Sequence, residues 1–319
     1  MANIVAWWDR RQVPLYLAAI LVGVLVGILL PGASRLEVGI TPVLAVLLYA
    51  TFLAVPFRAI AGAARDGRFL VAVLGLNFVV VPLVVFALSR FVADQQAVLV
   101  GVLLVLLTPC VDYVIVFAGL AGGARDRLLA VTPVLMVAQI LLLPLFLWLM
   151  AGPGARDLFE VRPFLEAFLA LIVAPLALAV ITQVLARRVR AARAAESLMA
   201  AGMVPLMMLT LAVVVASQIA AVGRAAAEVL IAIPLFIVFV VVLAPIGVAL
   251  GRALRLDVAG TRALAFSGVT RNSLVVLPIA LALPPASALT PLIVVTQTLV
   301  ELLAMVLLVA LVPRVVRPR

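Results

Sequence analysis

Long apolar runs alternate with short polar gaps along the whole chain. Ten runs are long enough to be helices that cross a bilayer, at approximately 13–30, 38–57, 69–92, 97–121, 128–151, 164–186, 198–219, 226–250, 262–284 and 290–312. A helix needs about 20 residues to span ~30 Å of hydrocarbon. Helices are the expected element because lipid cannot satisfy open backbone groups. Pro82, Pro109, Pro144, Pro175, Pro245 and Pro278 fall inside these spans. Each removes a backbone bond and predicts a kink or a break.

Two spans are interrupted by polar residues. Span 4 reads Leu107-Thr108-Pro109-Cys110-Val111-Asp112-Tyr113, and span 9 reads Val269-Thr270-Arg271-Asn272-Ser273-Leu274. An ionised group at the bilayer centre costs roughly 2.5–3.5 kcal/mol even on the lenient insertion scale. The interruptions also belong to a pattern of landmarks that recurs near an offset of 160 residues. Pro133 and Gln139 return as Pro291 and Gln297, Pro42 and Pro82 as Pro205 and Pro245, and Thr108 as Thr270. The expected fold is therefore an all-α polytopic membrane protein of ten helices. It forms a single transmembrane domain over residues 1–319, built from repeats at about 13–151 and 164–312. Five spans per repeat is odd, so the second copy enters the membrane inverted. Paired interruptions in inverted repeats are the sequence mark of a secondary transporter's binding site, where broken helices 4 and 9 cross.

Composition agrees with this class. The 319 residues are 68% hydrophobic and only 11% charged, with a mean hydropathy of +1.40. The net charge of +10 comes from 23 arginines, with no lysine. Those arginines lie in gaps between spans rather than on one soluble face, which argues against nucleic acid as a partner. Seventeen fall on one side of the expected topology, five on the other, and the last is Arg271 inside span 9. That asymmetry puts both termini in the cytoplasm. The bias toward Ala, Val, Gly and Arg points to a high-GC bacterium, hence its cytoplasmic membrane. A single cysteine excludes an intramolecular disulfide, and the absence of histidine excludes His-based metal or acid–base chemistry. No Walker-type loop is present, so ATP-driven transport by this chain alone is not expected. The first span is longer than a cleavable signal's apolar region.

The polar residues within spans are the candidate site. Asp112 and Arg271 fall at similar depth, and three readings stand open for them: a structural ion pair, a substrate site with Arg271 facing an anion, or a coupling site with Asp112 taking a proton or sodium ion. Thr108, Thr270, Asn272 and Ser273 supply oxygens, although hydroxyls of Thr and Ser also back-bond to their own helix. Broken-helix ends add carbonyls that suit sodium and N–H groups that suit anions. Cys110 is either a small buried hydrophobe or a thiol ligand for a soft substrate. Gln139 and Gln297 hold matching repeat positions and suit hydrogen bonding between helices. Asn77 is an isolated polar group in span 3. Glu301 lies four residues after Gln297, on the same helix face, and is a candidate proton carrier.

These residues resemble a family. Ten spans in two inverted repeats with broken helices 4 and 9 resemble the bile acid:sodium symporter superfamily. Thr108-Pro109-Cys110, followed by Val114-Ile115-Val116-Phe117, is similar to the Ala-Pro-Cys motif of the arsenite efflux permeases. That resemblance implies a role for Cys110 in handling arsenite, as a thiol contact to As(III) rather than a metal site. Span 9 departs from the permease pattern of paired asparagines followed by Phe-Glu-Leu. Arg271 replaces the first asparagine, Asn272 matches the second, Ser273 replaces the phenylalanine and Leu274 the glutamate. Asp112 is a candidate for the relocated acid.

The resulting expectation is an arsenite-permease-like secondary transporter, not an enzyme, with Cys110, Thr108, Asp112, Arg271 and Asn272 at the substrate. Asp112, Thr270, Ser273, Gln297 and Glu301 are the coupling residues, with Na+ or H+ as coupling ion and no cofactor. The alternative is a sodium-coupled symporter of an organic anion, with Arg271 as the carboxylate partner. A third reading is a non-transporting scaffold whose Asp112–Arg271 pair is structural.

Overall fold

The computed structural model describes residues 7–8, 11–54, 66–111, 113–152, 169, 173–281, 283 and 289–317. Asp112 lies outside the described residues, as does most of the start of span 6. Among the described residues the protein is helical, without a strand. Six helices are long and apolar enough to cross a membrane: Ala33–Ala54, Gly67–Val92, Arg125–Met150, Arg190–Ile219, Val229–Ala253 and Thr290–Val315. Spans 4 and 9 are absent from that set because each is broken into two shorter helices. Span 1 appears as an 18-residue helix, and span 6 is described over Ala174–Leu185.

The chain divides into two compact units, each assembled from two separate stretches of sequence. The first comprises residues 1–55 and 161–226. It holds α1 (Gln12–Leu29), α2 (Ile40–Ala54), α7 (Ala174–Leu185) and α8 (Arg190–Arg224), with a 3-10 segment at Ala33–Gly39 before α2. Small residues let α1 and α8 approach closely. A Cβ on Gly23 would lie 2.8 Å from the Ala212 carbonyl oxygen, the tight contact that membrane helices use in place of a hydrophobic driving force. α2 and α7 are joined by the Tyr49 and Thr182 hydroxyls at 2.9 Å, and by Gln183 donating to the Leu53 carbonyl at 2.9 Å. Leu21, Leu25, Ile28 and Leu29 of α1 are exposed, as a lipid-facing surface requires.

The second unit comprises residues 56–160 and 227–319. It holds α3 (Gly67–Val92), α4 (Gln96–Leu106), α5 (Tyr113–Leu120), α6 (Arg125–Met150), α9 (Ala226–Ala253), α10 (Val258–Val269), α11 (Ser273–Leu281) and α12 (Thr290–Val315). α4 is buried on every side from Val98 to Leu106, and α10 from Ala263 to Val269. Helices that are apolar all round belong in the centre of a membrane bundle. Gly101 allows α4 to lie against α12, since a Cβ there would sit 2.7 Å from Ile293 Cβ. At one end of the unit, Asp66 caps α3 through the Phe69 amide and Asp257 caps α10 through the Gly260 amide. Arg127 binds both carboxylates.

Proline acts unevenly. Pro109 sits in a true break, and Pro175 occupies the first turn of α7, where its missing N–H costs nothing. Pro82 follows a π-helical turn at Leu76–Val80. Pro144 and Pro245 lie inside helices that run on through them, so of the expected kink or break, neither is a break. Neighbouring helices supply the packing that keeps such helices continuous in a membrane.

Candidate functional site

The second unit contains both interruptions, and they meet. α4 ends at Leu106 and α10 at Val269, and the residues that follow, Thr108–Cys110 and Thr270–Asn272, are not helical. The two stretches pair antiparallel. The Cys110 N–H donates to the Thr270 carbonyl at 3.2 Å, and the Asn272 N–H donates to the Thr108 carbonyl at 2.8 Å. Pro109 and Arg271 face each other between these bonds. They form a non-hydrogen-bonded pair, whose own backbone groups point outward from the partner strand. Proline therefore loses nothing there by lacking an N–H. For the same reason the N–H and C=O of Arg271 are left to be satisfied by other elements.

α12 and α5 satisfy them. The Arg271 N–H donates to Glu301 Oε2 at 2.8 Å, and the Tyr113 hydroxyl lies 2.7 Å from the Arg271 carbonyl. That hydroxyl also lies 2.7 Å from Glu301 Oε1. Gln297 Nε2 donates to Glu301 Oε2, which bears out the same-face placement of these residues on one helix. Gln297 thus turns to its own helix rather than across to another, and its Oε1 has no partner.

Arg271 is fully buried. Its Nη2 donates to Asn77 Oδ1 at 2.8 Å, to the Ser267 carbonyl at 2.6 Å and to the Gly268 carbonyl at 2.9 Å. Its Nη1 donates to the Leu106 carbonyl at 3.3 Å. The guanidinium carbon stands 5.5 Å from the Phe239 ring centre, within cation–π range. All three carbonyls have lost their helical partner. The amides that would serve Leu106, Ser267 and Gly268 belong to Cys110, Arg271 and Asn272, and these donate to Thr270, Glu301 and Thr108 instead. The guanidinium thus caps the carboxyl ends of both α4 and α10, where the helix dipoles are negative. Among the described residues no carboxylate forms a salt bridge with it. Asn77 is held in turn by donating to Val73 O and Ser267 Oγ.

The remaining polar residues line the break. Thr108 and Thr270 donate their hydroxyl protons to Leu104 and Phe266, four residues back in each case. Asn272 Oδ1 accepts from the Val275 amide and so caps α11, while its Nδ2 is buried without a partner. Ser273 Oγ accepts from Thr298 at 2.7 Å. Cys110 is buried at the crossing.

The family profile for the sodium bile acid symporter family matches residues 41–225. The chain belongs to this family. No curated protein matches it. Membership makes the protein a multi-pass membrane transporter of the bile acid:sodium symporter type. The matched stretch contains the first interruption and ends before the second, so Arg271, Asn272 and Glu301 lie beyond it.

In this family member the described ones among the expected residues of spans 4 and 9 do come together, and Gln297 and Glu301 join them from α12. Asp112 lies outside the described residues. Tyr113, Asn77 and Phe239 were not among the expected site residues. Asn77 carried a signal as a lone amide in an apolar span. Tyr113 carried a weaker one as the hydroxyl directly after the break. Phe239 carried none.

Proposed function

We propose that this family member is a secondary active transporter that moves a small oxyanion or arsenite across a bacterial cytoplasmic membrane by alternating access. In this reading the protein has ten spans in two inverted five-helix repeats, with both termini cytoplasmic. The composition of the two units supports the repeat, because each draws its helices from both halves of the chain. The observation that carries the reading is the buried crossing of two broken helices, where Asn272 Nδ2, Arg271 Nε and Gln297 Oε1 have no hydrogen-bond partner. A buried polar atom without a partner is rare in a finished core and marks a place for a polar ligand. Cys110 lies in the same crossing, in a Thr-Pro-Cys segment similar to the arsenite permease motif. Its thiol would contact As(III), with Thr108 and Asn272 beside it.

Coupling is assigned to protons at Glu301. One hydroxyl hydrogen of Tyr113 cannot serve both the Arg271 carbonyl and Glu301 Oε1. A proton on Glu301 donates to the Tyr113 oxygen, and Tyr113 then donates to Arg271, so both 2.7 Å contacts become hydrogen bonds. Asp112, Thr270 and Ser273 remain further coupling residues in this reading. The test is arsenite resistance in a pump-deficient bacterium expressing the chain. Resistance above the empty vector is expected, with loss in Cys110→Ala. No resistance removes the substrate, and full resistance in Cys110→Ala removes the thiol role.

Sodium-coupled symport of an organic anion is the second reading, and the family match is equally compatible with it. Against Arg271 as carboxylate partner stands the engagement of both its terminal nitrogens by protein oxygens.

A further inference from the structure

Four oxygens converge on the Arg271 guanidinium: the carbonyls of Leu106, Ser267 and Gly268, and Oδ1 of Asn77. Three are orphaned carbonyls at the carboxyl ends of two broken helices, and the fourth is an amide oxygen. This is a neutral all-oxygen cluster at two negative dipole ends, the donor set that unwound membrane helices offer to a sodium ion. Here it is filled from within the chain. We infer that Arg271 is a tethered cation standing where a coupling sodium would sit, so that this family member neither binds nor requires sodium at its crossing.

Arg271 is fully buried and has four hydrogen bonds to this cluster, and the ring of Phe239 borders the same charge. A sodium ion would have to displace a guanidinium that is wholly enclosed by protein atoms. Among the described residues the other oxygen-rich group at the crossing is the Glu301 carboxyl, whose Oε2 already accepts from Gln297 and the Arg271 amide and whose Oε1 is hydrogen-bonded to Tyr113. A cation cannot take the place of a hydrogen-bond donor without breaking that bond. A tethered charge also differs in consequence from a bound one. It cannot dissociate to the cytoplasm, so it adds no ion gradient to the transport cycle. The inference deepens the transporter reading by excluding one coupling ion, but the site it describes does not depend on the substrate.

The experiment uses the purified full-length protein in detergent, with thermal unfolding followed in sodium chloride and in choline chloride at equal concentration. The wild type should unfold at the same temperature in both. Arg271→Ala opens the oxygen cluster and should gain a saturable, sodium-specific rise of about 2–4 °C, since a ligand that binds only the folded state stabilises it. Methylguanidinium should give a rise of its own in that variant and none in the wild type. A sodium-specific rise in the wild type overturns the inference, as does an Arg271→Ala protein indifferent to both cations. Should that variant fail to fold, binding of radioactive sodium to the wild type decides: no saturable binding is expected, and saturable binding displaced by unlabelled sodium but not by choline overturns it. No transported substrate enters these assays, so a failed arsenite test leaves their outcome independent.

Discussion

Glu301 is the residue whose replacement separates a carboxylate needed for its charge from one that holds a proton. In Glu301→Leu the acceptor for the Arg271 amide and for Gln297 Nε2 disappears, while Tyr113 keeps the Arg271 carbonyl. Two buried donors are orphaned at about 1–3 kcal/mol each, which sums to ~2–6 kcal/mol of lost stability. Glu301→Gln is different. Its amide nitrogen can donate to the Tyr113 oxygen, and its oxygen can accept from the Arg271 amide and Gln297. Every bond of the protonated acid is reproduced, so stability should stay within roughly 1 kcal/mol of wild type. Thermal and denaturant unfolding of the detergent-solubilised protein measures both differences. In proteoliposomes, an imposed pH gradient should drive uptake or efflux by the wild type and not by Glu301→Gln, which is fixed in the proton-loaded form. If Glu301→Gln is as unstable as Glu301→Leu, the ionised carboxylate is what the site requires, and the proton assignment to Glu301 fails.

Tyr113→Phe removes the hydroxyl between the Arg271 carbonyl and Glu301; it should cost about 1–2 kcal/mol and weaken the response to an imposed pH gradient, and unchanged values in both assays would refute the bridging role. Gly101→Ala places a Cβ against Ile293 and should destabilise the protein by roughly 1–3 kcal/mol through forced separation of α4 and α12, seen as a lowered unfolding temperature. Asn272→Ala deletes the cap of α11 and should cost about 1 kcal/mol; if its unpartnered Nδ2 meets the substrate, apparent affinity in the arsenite assay falls by more than that loss of stability explains.

The breaks were legible because polar residues cluster around Pro109 and Arg271 inside apolar spans, where charge is expensive, whereas Pro144 and Pro245, without such a cluster, break nothing. Glu301 and Gln297 were legible from a four-residue spacing, which helix geometry converts into one face. What Arg271 binds was not. Depth along a span is a one-dimensional quantity, and it placed Arg271 level with Asp112. The direction of the side chain depends on which carbonyls the breaks set free, and that depends on Cys110 and Asn272 donating across to the opposite strand. Such an exchange has no trace in either segment alone. Likewise Thr108 and Thr270 stood as oxygen donors, and in the structure their protons are spent on their own helices, symmetrically in the two halves.

The interleaved composition of the units bears on how the protein is made. Arg271 is the 158th residue made after its partner Tyr113. At ~5–20 residues per second that is a wait of roughly 8–30 s. Throughout it, the carbonyls of Leu106 and Thr108 have neither the Arg271 guanidinium nor the Asn272 amide to meet them. A nascent chain halted before residue 258 would hold an unfinished helix break in lipid, which makes the half-made protein a target for membrane quality control and sets a premium on uninterrupted translation.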